Sequence, residues 1–88
     1  MTKVEVYTKD YCPYCTKAKM LLDQLGITYE DIDLSKNPNR MDELLQRNPA
    51  ARTVPQIFIN DVGIGGCDDL YALHEAGDLS AKLSSEAE

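Results

Sequence analysis

The sequence has 88 residues and a mass of 9.8 kDa, a size at which chains form one domain. Hydrophobic residues make up 43% and charged residues 27%, and the formal net charge of −6 argues against a nucleic-acid-binding protein. The sequence contains no long apolar run, so we expect no membrane span. No apolar segment follows Met1, so we also expect no secretory signal and a cytoplasmic location.

Strand and helix patterns alternate in the first half of the chain. Residues 3–8 alternate with β-branched and aromatic side chains, which is typical of a strand. A helix begins at Pro13, carries apolar residues three and four positions apart, and ends at Gly26. Residues 27–34 predict a second strand, and a second helix then runs up to Pro49.

The second half predicts a hairpin followed by a third helix. Residues 56–59 are a short apolar strand, and the pair Asn60-Asp61 is a tight turn into a further strand at residues 62–64. The apolar pattern within residues 68–77 predicts the helix. Residues 84–88 are polar and predict a frayed tail.

The element order β-α-β-α-β-β-α describes one α/β domain over residues 1–88. Two parallel strands joined by a helix require a right-handed crossover, and the terminal hairpin completes a four-stranded mixed sheet. We therefore predict the smallest form of the thioredoxin-like fold, with three helices.

The strongest local signal is the sequence Cys12-Pro13-Tyr14-Cys15, which follows a predicted strand and opens a predicted helix. A Cys-x-x-Cys pair in this setting indicates dithiol redox chemistry. At a helix N-terminus, unpaired N–H groups and the helix dipole favour a thiolate, and cysteines so placed have pKa values of about 3.5–7.5. We expect Cys12 to attack and Cys15, one turn further in, to resolve the mixed disulfide.

Zinc binding is an alternative interpretation of the same cysteines. It requires four ligands, and the plausible set is Cys12, Cys15, Cys67 and His74. Because the spacing between Cys15 and Cys67 matches no familiar zinc pattern, we predict no metal site. Cys67 is better explained as a packed side chain and His74 as a structural or solvated one.

Three motifs in order carry a resemblance to a known family. They are Cys12-Pro13-Tyr14-Cys15, Thr53-Val54-Pro55-Gln56-Ile57-Phe58-Ile59 and Gly65-Gly66-Cys67-Asp68-Asp69-Leu70. Together they resemble the dithiol glutaredoxins of the short bacterial type, and the resemblance covers nearly the whole chain. It implies a glutathione-dependent thiol–disulfide oxidoreductase, with glutathione as co-substrate and no tightly bound cofactor.

The resemblance also implies a glutathione site with two backbone walls. Pro55 would be cis and would let Val54, after Thr53, pair with the cysteinyl part of glutathione. The segment from Gly66 through Cys67 would bind the γ-glutamyl carboxylate at a helix N-terminus.

Charged and aromatic side chains complete the implied site. One of Asp68 and Asp69 would pair with the glutathione ammonium while the other caps the helix. Lys9 would meet the glycine carboxylate, with help from an arginine at position 40 or 52. Tyr14 would lie beside the ligand and shield the sulfur.

The implied partners are glutathione and proteins that contain a disulfide or are glutathionylated. The resemblance permits ribonucleotide reductase as one such protein. We expect the enzyme to be a monomer. One alternative is a thioredoxin-like carrier reduced by thioredoxin reductase, which Lys9 and the Gly66–Asp69 segment disfavour. Another is a non-enzymatic iron–sulfur scaffold in which two chains each supply Cys12. Pro13 disfavours it, because family members that hold clusters mostly lack this proline.

Overall fold

The computed structural model describes residues 3–84. The strands are β1 (Val4–Thr8), β2 (Glu30–Asp33), β3 (Gln56–Ile59) and β4 (Val62–Gly65). The helices are α1 (Pro13–Gln24), α2 (Met41–Arg47), α3 (Cys67–Glu75) and α4 (Leu79–Ser84), and a 3₁₀ turn (Pro38–Arg40) leads into α2. None of the helices within this part of the chain has the length and apolar character needed to cross a bilayer.

The four strands form one sheet in the order β2-β1-β3-β4. β1 is parallel to β2 and antiparallel to β3, and β3 is antiparallel to β4. Asn60 and Asp61 join β3 to β4 with φ angles of 51° and 68°, the left-handed conformation that a tight hairpin turn favours. The predicted four-stranded mixed sheet of the thioredoxin-like fold is confirmed.

Helices cover both faces of the sheet, so every residue of β1 is buried. One apolar cluster lies under α1, α3 and α4, and includes Val6, Leu22 and Leu70. A smaller cluster lies under α2 and includes Tyr7 and Leu44. The alternation along β1 therefore sends side chains to two different cores, not to a core and to solvent.

The prediction of three helices is wrong by one, because α4 follows α3 after a short turn. α4 has only six residues, too few to show a helical period in the sequence. Its first residue, Leu79, is buried in the larger core, so tertiary packing stabilises a helix that would not persist alone. Of the predicted tail, Ser84 is the last residue of α4, and residues 85–88 lie outside the described part.

Several element boundaries also differ from the prediction by a few residues, among them those of β2 and α3. The second strand covers only Glu30–Asp33 of the predicted residues 27–34, because only this stretch pairs with β1. α3 begins at Cys67, one residue before the predicted range, since Gly66 is its N-cap.

A polar cluster lies on the α2 face of the sheet and is centred on Arg47. Its guanidinium donates to Glu5 Oε1 at 2.8 Å and to the Tyr7 hydroxyl at 2.9 Å, and it lies 4.0 Å from the Phe58 ring centroid. The Tyr7 hydroxyl in turn donates to Glu43. Burial lowers the pKa of Arg47, but Glu5 and Tyr7 outweigh it and raise this pKa, so the guanidinium stays charged.

Candidate active site

Cys12 is the N-cap of α1, and Pro13 occupies the first helical position. The Cys12 sulfur accepts a hydrogen bond from the Cys15 backbone N–H at 3.1 Å. The Cys12 carbonyl accepts the first helical bond from the N–H of Thr16. When the dithiol is reduced, the same Cys15 N–H faces the Cys12 sulfur at the N-terminus of α1, an arrangement that stabilises negative charge there.

Cys15 is buried and forms a disulfide with Cys12, with 5.2 Å between their Cα atoms. Cys12 is only half-buried, so it is the sulfur of the pair that solvent can reach. The roles of Cys12 as attacking and Cys15 as resolving thiol stay a prediction, for which Cys12 has the access to solvent that an attacking thiol needs.

The loop before β3 brings backbone groups beside Cys12. The Val54–Pro55 peptide bond is cis, as the resemblance implies. The Cys12 sulfur lies 3.7 Å from the Val54 carbonyl oxygen. Cys12 therefore faces a stretch of exposed backbone that an extended peptide can pair with.

Two polar side chains that the sequence analysis did not assign hold this loop in place. The Gln56 amide donates to the Thr53 carbonyl at 2.8 Å and accepts from the Asn48 amide at 3.4 Å. Asn48 also accepts from the N–H of Ala50. One sequence feature could have indicated this role: Gln56 is a polar residue at the start of an otherwise apolar strand. A buried amide such as that of Gln56 requires hydrogen-bond partners nearby.

The turn between β4 and α3 forms the opposite side of the site. Asp69 Oδ2 accepts from the Gly66 N–H at 3.0 Å and so caps α3. Gly65 has a φ of 108°, and a side chain there would collide with the Asp69 carboxylate. A Cβ at Gly66 would come within 3.3 Å of the Pro55 carbonyl oxygen. Gly65 therefore leaves room for the Asp69 cap, and Gly66 lets this turn lie close to the Pro55 backbone.

These segments enclose a cleft of about 570 Å³. Eight predicted site residues line it: Tyr14, Thr53, Val54, Pro55, Gly66, Cys67, Asp68 and Asp69. A larger cavity of about 820 Å³ is bounded by residues 27–30 and Leu83, and within the described residues no cysteine lines it. Cys12 and Cys15 are not among the described residues that line the smaller cleft, but the Cys12 sulfur lies 3.7 Å from the carbonyl oxygen of Val54, which does. We assign function to this cleft because it combines that contact with backbone groups and two carboxylates.

Comparison with known proteins decides the family. The glutaredoxin family model matches residues 4–64. The chain is 46% identical to Glutaredoxin 3 of Escherichia coli strain K12 over 83 residues, which are 94% of this chain and 99% of that protein. The chain belongs to the glutaredoxin family. The prediction of a glutathione-dependent thiol–disulfide oxidoreductase is confirmed by this membership.

Solved glutaredoxin structures share the fold. A buckwheat glutaredoxin–glutathione complex superimposes with a TM-score of 0.81 at 40% identity, covering 94% of this chain and 77% of that one. The solution structure of Glutaredoxin from Brucella melitensis gives a TM-score of 0.79 at 46% identity, covering 94% and 89%. The thioredoxin-like arrangement predicted for this glutaredoxin is therefore found in its relatives as well.

None of the three predicted cations is among the described residues that line the cleft. Lys9 is exposed and follows β1, but among residues 3–84 it is outside the lining of the cleft. Arg40 is bound elsewhere, to Glu43 at 2.8 Å and Glu30 at 3.5 Å. The expected help from Arg40 is therefore unsupported, and Arg52, exposed beside Thr53, is the better placed arginine.

Cys67 and His74 do not complete a metal site with the dithiol. Cys67 is buried in the first turn of α3, and burial raises the pKa of its thiol. His74 is exposed in the last turn of the same helix. The two side chains do not converge, and no group of three or more metal-ligating side chains occurs within residues 3–84.

Proposed function

We propose that this glutaredoxin reduces glutathione mixed disulfides and protein disulfides at Cys12, with glutathione as the reductant. The observation that carries the proposal is the position of the Cys12 sulfur, 3.7 Å from the Val54 carbonyl oxygen beside the cleft. A tripeptide thiol bound along the Val54 backbone would bring its own sulfur to Cys12.

The γ-glutamyl end of glutathione would bind at the start of α3. Backbone N–H groups at Cys67 and Asp68 belong to the first turn of a nine-residue helix, where a carboxylate is favoured. Asp69 accepts one bond, from Gly66, with a single oxygen. Because a carboxylate has about four acceptor sites, capping leaves Asp69 able to receive the ammonium, and Asp68 adds negative charge beside it.

The glycine carboxylate of glutathione would extend toward exposed cations outside the cleft. Lys9 is the first choice, because it lies three residues before Cys12, and Arg52 next to Thr53 is the second. Both are exposed, so their contribution to affinity depends on ionic strength.

Removal of a glutathionyl group requires one attacking thiolate. The Cys12 thiolate attacks the glutathionyl sulfur, the new S–S bond forms, and the other sulfur leaves as a thiolate that takes a proton from water. A second glutathione thiolate then attacks the glutathionyl sulfur on Cys12. Glutathione disulfide forms, and Cys12 leaves as the thiolate in which it began.

Reduction of a protein disulfide uses both cysteines. Cys12 forms a mixed disulfide with the client and releases one client thiolate. The Cys15 thiolate then attacks the Cys12 sulfur, the Cys12–Cys15 bond forms, and the second client thiolate leaves. The client gains two electrons, and two molecules of glutathione restore the dithiol. Glutaredoxin potentials of about −200 to −230 mV allow a cytosolic glutathione pool to drive this direction.

The test is NADPH consumption with a glutathione mixed disulfide, coupled in parallel reactions to glutathione reductase or to thioredoxin reductase. We expect turnover with glutathione and glutathione reductase. Turnover only with thioredoxin reductase would overturn the proposal and favour the thioredoxin-like carrier. A brown protein with a bound cluster and no turnover would favour the iron–sulfur scaffold.

We also propose a cytoplasmic monomer without a tightly bound cofactor, with ribonucleotide reductase among its clients. These statements rest on the family resemblance and on the composition. Cell fractionation, analytical ultracentrifugation and the reduction of oxidised ribonucleotide reductase test them separately.

A further inference from the structure

Tyr11, the residue before the nucleophile, is exposed in an unusual way. Its side chain is 101% exposed. Its φ is 56°, in the left-handed region that bulky side chains rarely adopt. A large ring in water on a strained backbone contributes little to stability, and residues in this conformation cluster at functional sites.

The backbone on both sides of Tyr11 is anchored. The N–H of Asp10 donates to the Ser35 hydroxyl at 2.9 Å. On the other side, Cys12 caps α1 through its bond from the Cys15 N–H. Tyr11 is therefore held between two fixed residues, so the backbone that carries its ring has a defined position.

Tyr11 lies apart from the proposed glutathione site. Tyr14 lines the cleft, whereas Tyr11 is not among the residues between 3 and 84 that do so. Glutathione bound along Val54 and α3 would leave the Tyr11 ring uncovered. A ligand that packs on the Tyr11 ring must extend beyond the part of the tripeptide that lies in the cleft.

The geometry of a mixed disulfide brings client residues within reach of Tyr11. Two disulfide-linked cysteines have Cα atoms about 4.4–6.8 Å apart, and chain neighbours are about 3.8 Å apart. The residues beside a client cysteine joined to Cys12 therefore come close to the residue beside Cys12. A tyrosine ring extends far enough to contact them.

We propose that Tyr11 is a docking residue for protein clients, and that its ring packs on an apolar side chain next to the disulfide cysteine in an extended client segment. The proposal rests on the proposed function, since it concerns the client in the mixed disulfide with Cys12. An apolar partner is favoured because the ring is fully hydrated before binding and gains most from burial. Tyr11 touches no reacting atom, so its effect is on recognition.

The experiment compares two disulfide-bonded peptides that differ only in the residue beside the attacked cysteine, leucine or serine. We expect the unmodified protein to reduce the leucine peptide with a kcat/KM about tenfold higher, the size of one well-packed aromatic contact. Tyr11→Asn should abolish this preference, because Asn tolerates the left-handed backbone but lacks the ring. Tyr11→Phe should retain it.

Two controls separate this proposal from the proposed function. The glutathione mixed disulfide of a small thiol should be reduced by Tyr11→Asn within about twofold of the normal rate, since a contact absent from its complex cannot contribute. Met20→Asn removes another exposed apolar side chain, from the body of α1, and should leave the peptide preference unchanged.

Equal rates on both peptides with unmodified protein would overturn the docking role, as would an equal loss by Tyr11→Asn on the small and peptide substrates. Retention of the leucine preference by Tyr11→Asn would also overturn it. Failure of the proposed function gives a different result, because the unmodified protein would then fail to reduce the small mixed disulfide.

Discussion

Two parts of the active site, an α1 wall that carries the attacking sulfur and a loop wall that lines the cleft, are held in place by different forces. The α1 wall consists of α1 with Cys12 at its start, and Ala18 and Leu22 fix it in the apolar core. The loop wall consists of residues 48–56, and the amide hydrogen bonds of Gln56 and Asn48 fix it. The attacking sulfur is therefore at the start of a helix that is held by apolar core packing. The backbone proposed to bind glutathione is in a loop that is held by hydrogen bonds.

This difference assigns separate tasks to the two walls. A side chain that reacts must be held closely, which a packed helix provides. Backbone that binds an extended ligand must leave its N–H and C=O groups unpaired, which a regular strand or helix interior does not allow. Changes in the α1 wall should therefore alter the chemistry, and changes in the loop wall should alter the KM for glutathione substrates.

The largest expected effect is that of Cys12→Ser, which should lower activity on every disulfide substrate by about a thousandfold or more, because the attacking thiolate is lost. Turnover in the NADPH-coupled assay measures the loss. Cys67→Ser is the matched control and should remain active, since the Cys67 thiol is buried and its pKa is raised by that burial. Substantial turnover by Cys12→Ser would show that Cys15 or Cys67 can attack.

Cys15→Ser should separate the substrates. Activity on small glutathione mixed disulfides should persist, while activity on protein disulfides falls by about a hundredfold, because intramolecular attack by Cys15 is lost. Mass spectrometry should find one glutathione on Cys12. An equal loss on both substrate classes would mean that all of the chemistry uses two cysteines.

Gln56→Leu tests the loop wall. It removes the bonds to the Thr53 carbonyl and from the Asn48 amide, both partly buried, at a cost of about 1 kcal/mol. We expect the KM for a glutathione mixed disulfide to rise about five- to tenfold with little change in kcat. Gln46→Leu, at an exposed position of α2, is the control. A fall in kcat without a change in KM would contradict the division between the two walls.

Lys9→Ala should have a smaller effect, on both the thiolate and glutathione binding. The curve of Cys12 alkylation rate against pH should shift by about half a unit to higher pH, because the positive charge that we propose to stabilise the thiolate is lost. The shift should shrink in high salt, since Lys9 is exposed. Lys36→Ala, at another exposed position, is the control. An unchanged profile would mean that the helix N-terminus alone stabilises the thiolate.

The smallest effect should come from a polar contact in the α1 wall, where Lys19 and Asp31 form a salt bridge of 2.9 Å. Burial raises the pKa of Asp31, but hydrogen bonds from Lys19 and Thr8 outweigh it, so the pKa is lowered below its usual value of 3.8. A lowered pKa in the folded state gives stability that is present above the unfolded-state pKa and lost as pH falls through the folded-state value.

Asp31→Asn should therefore reduce the free energy of unfolding at pH 7 by less than about 1 kcal/mol, and by a smaller amount near pH 2. Urea unfolding at both pH values measures the difference. Glu75→Gln, at the end of α3, is the control for removing an exposed carboxylate. A larger loss at low pH than at pH 7 would contradict the assigned sign.

The sequence by itself determined the sheet, the first three helices and the position of the two redox cysteines at the start of α1. These features depend on local patterns: alternating side chains, Pro13 at a helix start, the hairpin turn at Asn60-Asp61, and two cysteines three residues apart. Each pattern acts over a few residues, so it can be recognised without knowing what packs against it.

Only the tertiary structure decided which polar side chains meet. Gln56 reaches Thr53, Arg40 turns to Glu43 and Glu30, and Asp69 caps α3 at Gly66. α4 likewise forms because the core covers Leu79. A polar side chain has several partners within its reach, and the backbone path and the burial around it select one. That selection depends on residues distant in the chain, which no local pattern contains.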